Sequence, residues 1–154
     1  MSEPRLQIRK GVTLVEMLAV FAIIAVLVAF GLPRFGGIVE RNSVSAARDQ
    51  VISTLSNARA AAIRRGATST FYVAGNDVWV TADSSGTEVT IVAKAPMNTL
   101  HGVTLATSGS ASKVVYNSRG LASAASGKVY VTRGSRTDSV CITQLGAVMR
   151  QGCL

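Results

Sequence analysis

The chain has 154 residues and a formal net charge of +8 at neutral pH. With an apolar N-terminal segment set aside, about 120 residues remain, enough for one globular domain with a single modest core and too few for two. Aromatic residues make up only 5% of the chain, which excludes a core built on large rings, so small and β-branched side chains packed on a sheet must supply it.

The first eleven residues carry the cations Arg5, Arg9 and Lys10. From Val12 to Leu32 only Thr13 and Glu16 are clearly polar, and as a helix this run rises about 31 Å, roughly the hydrocarbon thickness of a bilayer. A single membrane span over 12–32 is the expectation. A cleaved secretory signal peptide is the alternative, since a basic segment precedes an apolar one. The run is long for such a peptide, no Ala-x-Ala site closes it, and Glu16 sits inside it. The basic flank stays in the cytoplasm, so the rest of the chain is exported.

After the span, "GLPRFGG" at Gly31 to Gly37 predicts a kink or local melting, because Pro33 removes a helical hydrogen bond and the glycines loosen the backbone. A helical period then resumes from Ile38 to about Arg65, with Val44, Ala47, Val51, Leu55, Ala58 and Ala62 on one apolar stripe that a sheet must cover. Gly66 follows Arg64 and Arg65, a glycine stop with cations at the negative end of the helix dipole. Arg34, Arg41 and Arg48 recur every seven residues; they read as a polar face opposite the stripe, with a stripe against neighbouring subunits as the other reading.

Beyond Gly66 the period changes to two. "TSTFYVAGNDVWVTAD" holds two alternating runs around Gly75-Asn76-Asp77, a hairpin signal. "TEVTIVAK", "GVTLAT", "SKVVYNS" and "GKVYVTR" read as further strands, and "SVCITQLGAVMRQGC" as a last hairpin turning at Leu145-Gly146. Trp79 is expected to anchor its strand in the core, and His101 to be structural. Cys141 and Cys153 both fall in the exported part, where an even count favours a disulfide over a redox or metal pair; a closed zinc site would need a carboxylate or a partner chain beside the single histidine. No nucleophile motif, phosphate loop, paired catalytic carboxylates or metal spacing stands out. The chain reads as neither an enzyme nor a cofactor protein.

"KGVTLVEMLAVFAIIAVLVAFGLP", Lys10 to Pro33, resembles the type IV prepilin signature: a short basic leader ending in glycine, a hydrophobic first mature residue, Glu at mature position five, a membrane-length apolar helix and a downstream proline. The resemblance implies that a prepilin peptidase cuts between Gly11 and Val12 and methylates the new N-terminus. Val12 departs from the commoner Phe or Met there. It also implies that Glu16 pairs with the terminal amine of a neighbouring subunit during assembly, with Pro33 as the downstream proline. A carboxylate inside a span costs about 2.5–3.5 kcal/mol on insertion scales, so it is retained where a partner neutralises it. The other reading of Glu16 is an interfacial residue near the end of the span.

The C-terminal stretch from Val114 to Cys153 resembles the end of the FimT/GspH family of minor pilins and secretion pseudopilins. The resemblance implies an α+β pilin-like fold, a long N-terminal transmembrane helix packed on a C-terminal antiparallel β-domain. The expected layout is a leader at 1–11, the span at 12–32, a periplasmic continuation of the helix at 33–66 and a β-rich domain at 67–154. Implied partners are other pilins or pseudopilins, the prepilin peptidase and the bacterial cytoplasmic membrane, with the domain in the periplasm and the subunit assembled in a type IV pilus or a type II secretion pseudopilus.

The competing function is a pilus-associated DNA receptor for natural transformation. From Lys113 to the end, Lys113, Arg119, Lys128, Arg133, Arg136 and Arg150 face Asp138 alone, a balance of +5, and phosphate contacts supply most non-specific DNA affinity. Some DNA-binding members of the family end in Gly-Arg-x-Arg; here Gly146 to Arg150 keeps one glycine and one arginine. Arg133, Arg136 and Arg150 are the candidate phosphate contacts, and acidic neighbours or simple solvation are the other readings of the same charge.

Overall fold

The computed structural model describes residues 12–123 and 126–150, with side chains described for all of these except 30–35 and 150. The chain divides between Ile38 and Val39 into two units.

Helix α1 runs from Leu14 to Arg65. Helical backbone continues through Pro33, so the local melting expected at Gly31 to Gly37 does not occur: the missing N–H costs one hydrogen bond, and the turns on both sides keep theirs. In the first unit every described side chain from Val12 to Ala29 is exposed. Among the described residues no helix is long and apolar enough to cross a membrane. The span expected over 12–32 takes in residues 30–32, whose side chains lie outside the description.

In the second unit the apolar stripe is buried: Ala47, Val51, Leu55, Ala58 and Ala62 are fully covered and Val44 nearly so. The helix ends where the Gly66 N–H bonds to the Ile63 carbonyl and the Ala67 N–H to the Ala62 carbonyl, with Gly66 at a φ of 63°. Both bonds satisfy terminal carbonyls, and the left-handed residue they need is the glycine.

Eight strands follow: β1 (Ser69–Ala74), β2 (Asp77–Ser84), β3 (Thr87–Pro96), β4 (Thr104–Gly109), β5 (Lys113–Tyr116), β6 (Gly127–Arg133), β7 (Arg136–Ile142) and β8 (Val148–Arg150). A single-turn helix, α2 (Met97–His101), joins β3 to β4 and has no signal in the sequence period, which needs several turns to register. The strands form two antiparallel sheets, ordered β3-β2-β1-β5 and β4-β6-β7-β8. Phe71, Val73, Val78, Val80 and Val114 of the first sheet and Val129, Val131, Val140 and Ile142 of the second share one core with the α1 stripe. Asn76 at the first hairpin ties the sheets together: its Oδ1 accepts the Leu105 N–H at 2.8 Å and its carbonyl the Met97 N–H.

Trp79 is not in that core. It is half-buried on the opposite face of its sheet, because the strand period that buries Val78 and Val80 turns position 79 outward.

Candidate functional site

The first site is the start of α1. Thr13 precedes the helix, and its Oγ1 accepts the backbone N–H of Glu16 at 3.2 Å. Thr13 and Glu16 thus stand at the N-cap and N3 positions of a capping box, where a glutamate also suits the positive end of the helix dipole. The Glu16 side chain is exposed and makes no ion pair among the described residues. Around it Val12, Leu14, Val15 and Leu18 are 60–76% exposed. A helix apolar on every side needs lipid or other helices as its surroundings. The expected cleavage residue Gly11 lies outside the described residues, while Val12 is described and exposed. Pro33 has helical backbone.

The second site is where the β6–β7 hairpin meets α1. Arg133 and Arg136 are register partners across that hairpin, whose turn takes Gly134 at a φ of 55°. Gly134 packs directly on the Glu40 carboxylate of α1. The guanidinium of Arg133 is committed inward: its Nη1 donates to the Ser43 hydroxyl and, at 2.7 Å, to the His101 carbonyl. It clamps β6 to α1 and α2. His101 itself meets Gln50 of α1, Nε2 to Oε1, at 2.6 Å.

Arg136 faces elsewhere, onto a cleft of about 590 Å³ that it lines with Arg41, Ser45, Arg48, Thr137 and Asp138. Arg48 is pinned on three sides. Its Nη1 donates to Asp138 Oδ2 at 2.7 Å, its Nη2 to Ser45 Oγ at 3.1 Å, and its Nε to Asp49 Oδ1 at 3.1 Å. Burial opposes the charge on Arg48, but the hydrogen bonds to Asp138 and Asp49 outweigh it and hold the pKa above the ordinary arginine value. Arg41 and Arg136 are exposed and have no hydrogen bond or ion pair among the described residues. Arg150 is paired in register with Val140, four residues along β7 from Arg136, or about 13 Å. The structure therefore brings Arg133 and Arg136 to one hairpin, turns Arg133 away from Arg136's cleft, and leaves the Arg150 backbone at a distance. The residues that do join Arg136 are Arg41 and Arg48. Their seven-residue spacing placed them on one side of the helix, but no sequence signal connected them to a strand some ninety positions on.

The outer face of the first sheet carries a row across all four strands: Lys94 Nζ lies 4.5 Å from the Trp79 ring centroid, Trp79 stacks on Tyr72 at 5.0 Å, and Lys113 Nζ lies 5.6 Å from the Tyr72 ring. Glu88 accepts hydrogen bonds from the Thr81 and Tyr72 hydroxyls, which hold its carboxyl below the usual range. The row closes on itself, both outer ring faces being covered by ammonium groups.

Cys141 is buried in β7 and has no free thiol. Its expected partner, Cys153, lies outside the described residues. Among the described residues no group of three or more His, Cys, Asp or Glu is placed to hold a metal ion.

Residues 47–146 match the family described as type II transport protein GspH, and residues 7–32 match the prokaryotic N-terminal methylation motif. Two crystal forms of the type IV minor pilin FimU of Pseudomonas aeruginosa PAO1 are similar in structure. One has a TM-score of 0.59 at 16% identity over 75% of this chain and 92% of that one. The other has a TM-score of 0.55 at 15% identity over 70% and 92%. At these identities the likeness is one of fold. No curated protein matches the sequence.

Proposed function

The chain belongs to the family of the type II transport protein GspH, and from that premise we propose that it is a structural minor pilin or pseudopilin subunit, built into a type IV pilus or a type II secretion pseudopilus. It is a substrate of the prepilin peptidase and not itself a catalyst. In this reading residues 1–11 are a leader cut between Gly11 and Val12, and Val12 becomes the methylated N-terminus. Residues 12–32 anchor the precursor once through the cytoplasmic membrane, 33–66 continue the helix into the periplasm and 67–154 form the exposed domain. The observation that carries the reading is the methylation motif over 7–32 on a helix that is apolar and exposed all round, with one carboxylate in its first turn.

Glu16 has two jobs to separate: capping its own helix and pairing with a neighbour's terminal amine. Gln serves at N3 of a capping box as Glu does but carries no charge. Glu16→Gln should therefore insert in the membrane and be processed to a methylated Val12, yet be absent from sheared or cross-linked fibres. Intact mass of the membrane fraction and immunodetection in the fibre fraction read the two steps. Normal recovery of Glu16→Gln in fibres would reduce Glu16 to a cap, and processing beyond Leu32 would overturn the prepilin reading altogether.

A second reading, DNA contact for natural transformation through Arg133, Arg136 and Arg150, draws support from Arg136, an exposed cation with no partner among the described residues. Arg133 weighs against it, since its Nη1 is spent on Ser43 and His101. Non-specific phosphate binding would lose about one unit of salt slope per arginine removed. Titration of duplex DNA at several salt concentrations with Arg136→Gln and Arg150→Gln tests it, and binding unchanged in both would end it.

A further inference from the structure

We propose that the cleft between α1 and the β6–β7 hairpin is an acceptor for a single carboxylate side chain presented by a neighbouring subunit, gripped by Arg41 and Arg136. The inference rests on the subunit reading above and adds to it the surface and the partner chemistry.

The two arginines come from different elements and reach one cleft, of about 590 Å³, with the hydroxyls of Ser45 and Thr137 on its wall. Neither has an ion pair or hydrogen bond among the described residues, although carboxylates stand close by. Asp138 and Asp49 are both taken by Arg48. That pinning has a consequence: Arg48 neutralises the acids that would otherwise draw in Arg41 and Arg136, and so leaves their forks open. A guanidinium fork matches a carboxylate with two parallel hydrogen bonds, each stronger than a neutral one.

The cleft is also held in shape. The hairpin that presents Arg136 is seated on Glu40 through Gly134 and tied to α1 and α2 through Arg133. Thr132 and Thr137 share a further hydroxyl contact of 3.0 Å across the same strands. Arg136 therefore leaves from a fixed base, and binding has to order only the two long side chains.

Charge selects the occupant. Of the residues that line the cleft, Arg41, Arg48 and Arg136 stand against Asp138, and Arg48 is already matched by Asp138 and Asp49, so the Arg41 and Arg136 guanidinium groups are the charge that a carboxylate would meet. A nucleic-acid backbone needs a run of cations that follows successive phosphates, and here the next phosphate would meet Asp138. The local balance favours an aspartate or glutamate on a protein partner over a polyanion.

The test uses the full-length protein in cells that assemble the fibre. Arg41→Glu, Arg136→Glu and the double variant are expected to insert and be processed normally but to fall at least about tenfold in fibre recovery, since like charges across an interface oppose docking. Arg41→Gln with Arg136→Gln, which removes the charge without adding another, should give a smaller loss, and Arg136→Lys should restore part of it. Melting of the purified variants in detergent should match the parent; a drop seen only in variants that melt early would overturn the proposal. Normal fibre recovery of the double glutamate variant, in a background where Glu16→Gln is excluded, would overturn the cleft while leaving the subunit reading intact. Loss of salt-sensitive duplex-DNA binding in these variants with assembly unchanged would assign the cleft to a polyanion and likewise overturn the proposal.

Discussion

Arg48 on helix α1 and Asp138 on strand β7 form an ion pair of 2.7 Å in which both side chains are only 15–16% exposed. It fastens the second sheet to the helix ninety residues away in sequence. Because the pair is largely desolvated, removing one partner leaves the other charged and short of a hydrogen bond.

Arg48→Ala or Asp138→Ala should each destabilise the protein by about 1.5–3 kcal/mol, the range for hydrogen bonds to charged groups. The double variant should cost less than the sum, with a coupling of about 0.5–3 kcal/mol. Chemical denaturation of the full chain in detergent, run as a double-mutant cycle, measures this. Additive losses would mean that the contact contributes nothing of its own.

Tyr116 offers the opposite case. Its ring is fully buried and its hydroxyl has no hydrogen-bond partner among the described residues; burial pushes its pKa up to about 12, against a smaller lowering by the Arg59 charge. An unsatisfied buried hydroxyl costs about 1–3 kcal/mol, so Tyr116→Phe should leave stability unchanged or raise it by up to about that amount. The sign of the pH effect follows from the shift. The folded state holds the phenol proton beyond the unfolded value near 10, so this stability is fully present below about pH 10 and is lost as pH rises toward about 12. Thermal melts from pH 8 upward should show a shallower alkaline decline in Tyr116→Phe than in the parent. A loss of stability at neutral pH would reveal a partner for the hydroxyl.

Two glycines should respond differently to alanine. At Gly127 an added Cβ would meet the Ala111 amide nitrogen at 2.6 Å and the Ser108 carbonyl oxygen at 2.8 Å, backbone atoms that cannot step aside, and the cost should be about 1–3 kcal/mol. At Gly134 the obstacle is the Glu40 carboxylate, the mobile end of a side chain. What remains is the φ of 55°, worth about 1–2 kcal/mol for a residue with a Cβ. Equilibrium unfolding should rank Gly127→Ala at least as severe, while Gly134→Ala, besides its own loss of about 1–2 kcal/mol, should shift the Arg136 hairpin and lower fibre recovery. The reverse order would mean that the hairpin tip, and not the β4–β6 crossing, is the rigid point.

The pairing of Cys141 with Cys153 is proposed across the last hairpin. A loop of that length is worth roughly 3 kcal/mol on the chain-entropy account. Alkylation of exported protein without reductant should find no free thiol, and Cys153→Ser should expose one. Two reactive thiols in the parent would rule the bridge out.

The helix, its buried stripe from Val44 to Ala62 and its glycine stop were legible in the sequence because each depends on residues within a few turns. So were the Gly75-Asn76 hairpin, the strand runs and the last turn at Leu145-Gly146. The prepilin signature is likewise contiguous, and residues 7–32 carry it whole. Two readings fail for local reasons: the melting expected around Pro33 takes no account of the turns that continue past it, and the core place expected for Trp79 follows its size and not its position in the alternation. Tertiary structure decided the rest. It parted β4 and β5 between two sheets, spent Arg133 on Ser43 and the His101 carbonyl and set Arg136 beside Arg41 and Arg48. Such partners lie some thirty to ninety positions apart, and side-chain period carries no information over that distance. A charge counted along the chain shows how many cations there are; only the folded backbone determines which of them already have a partner and which are left open to meet one.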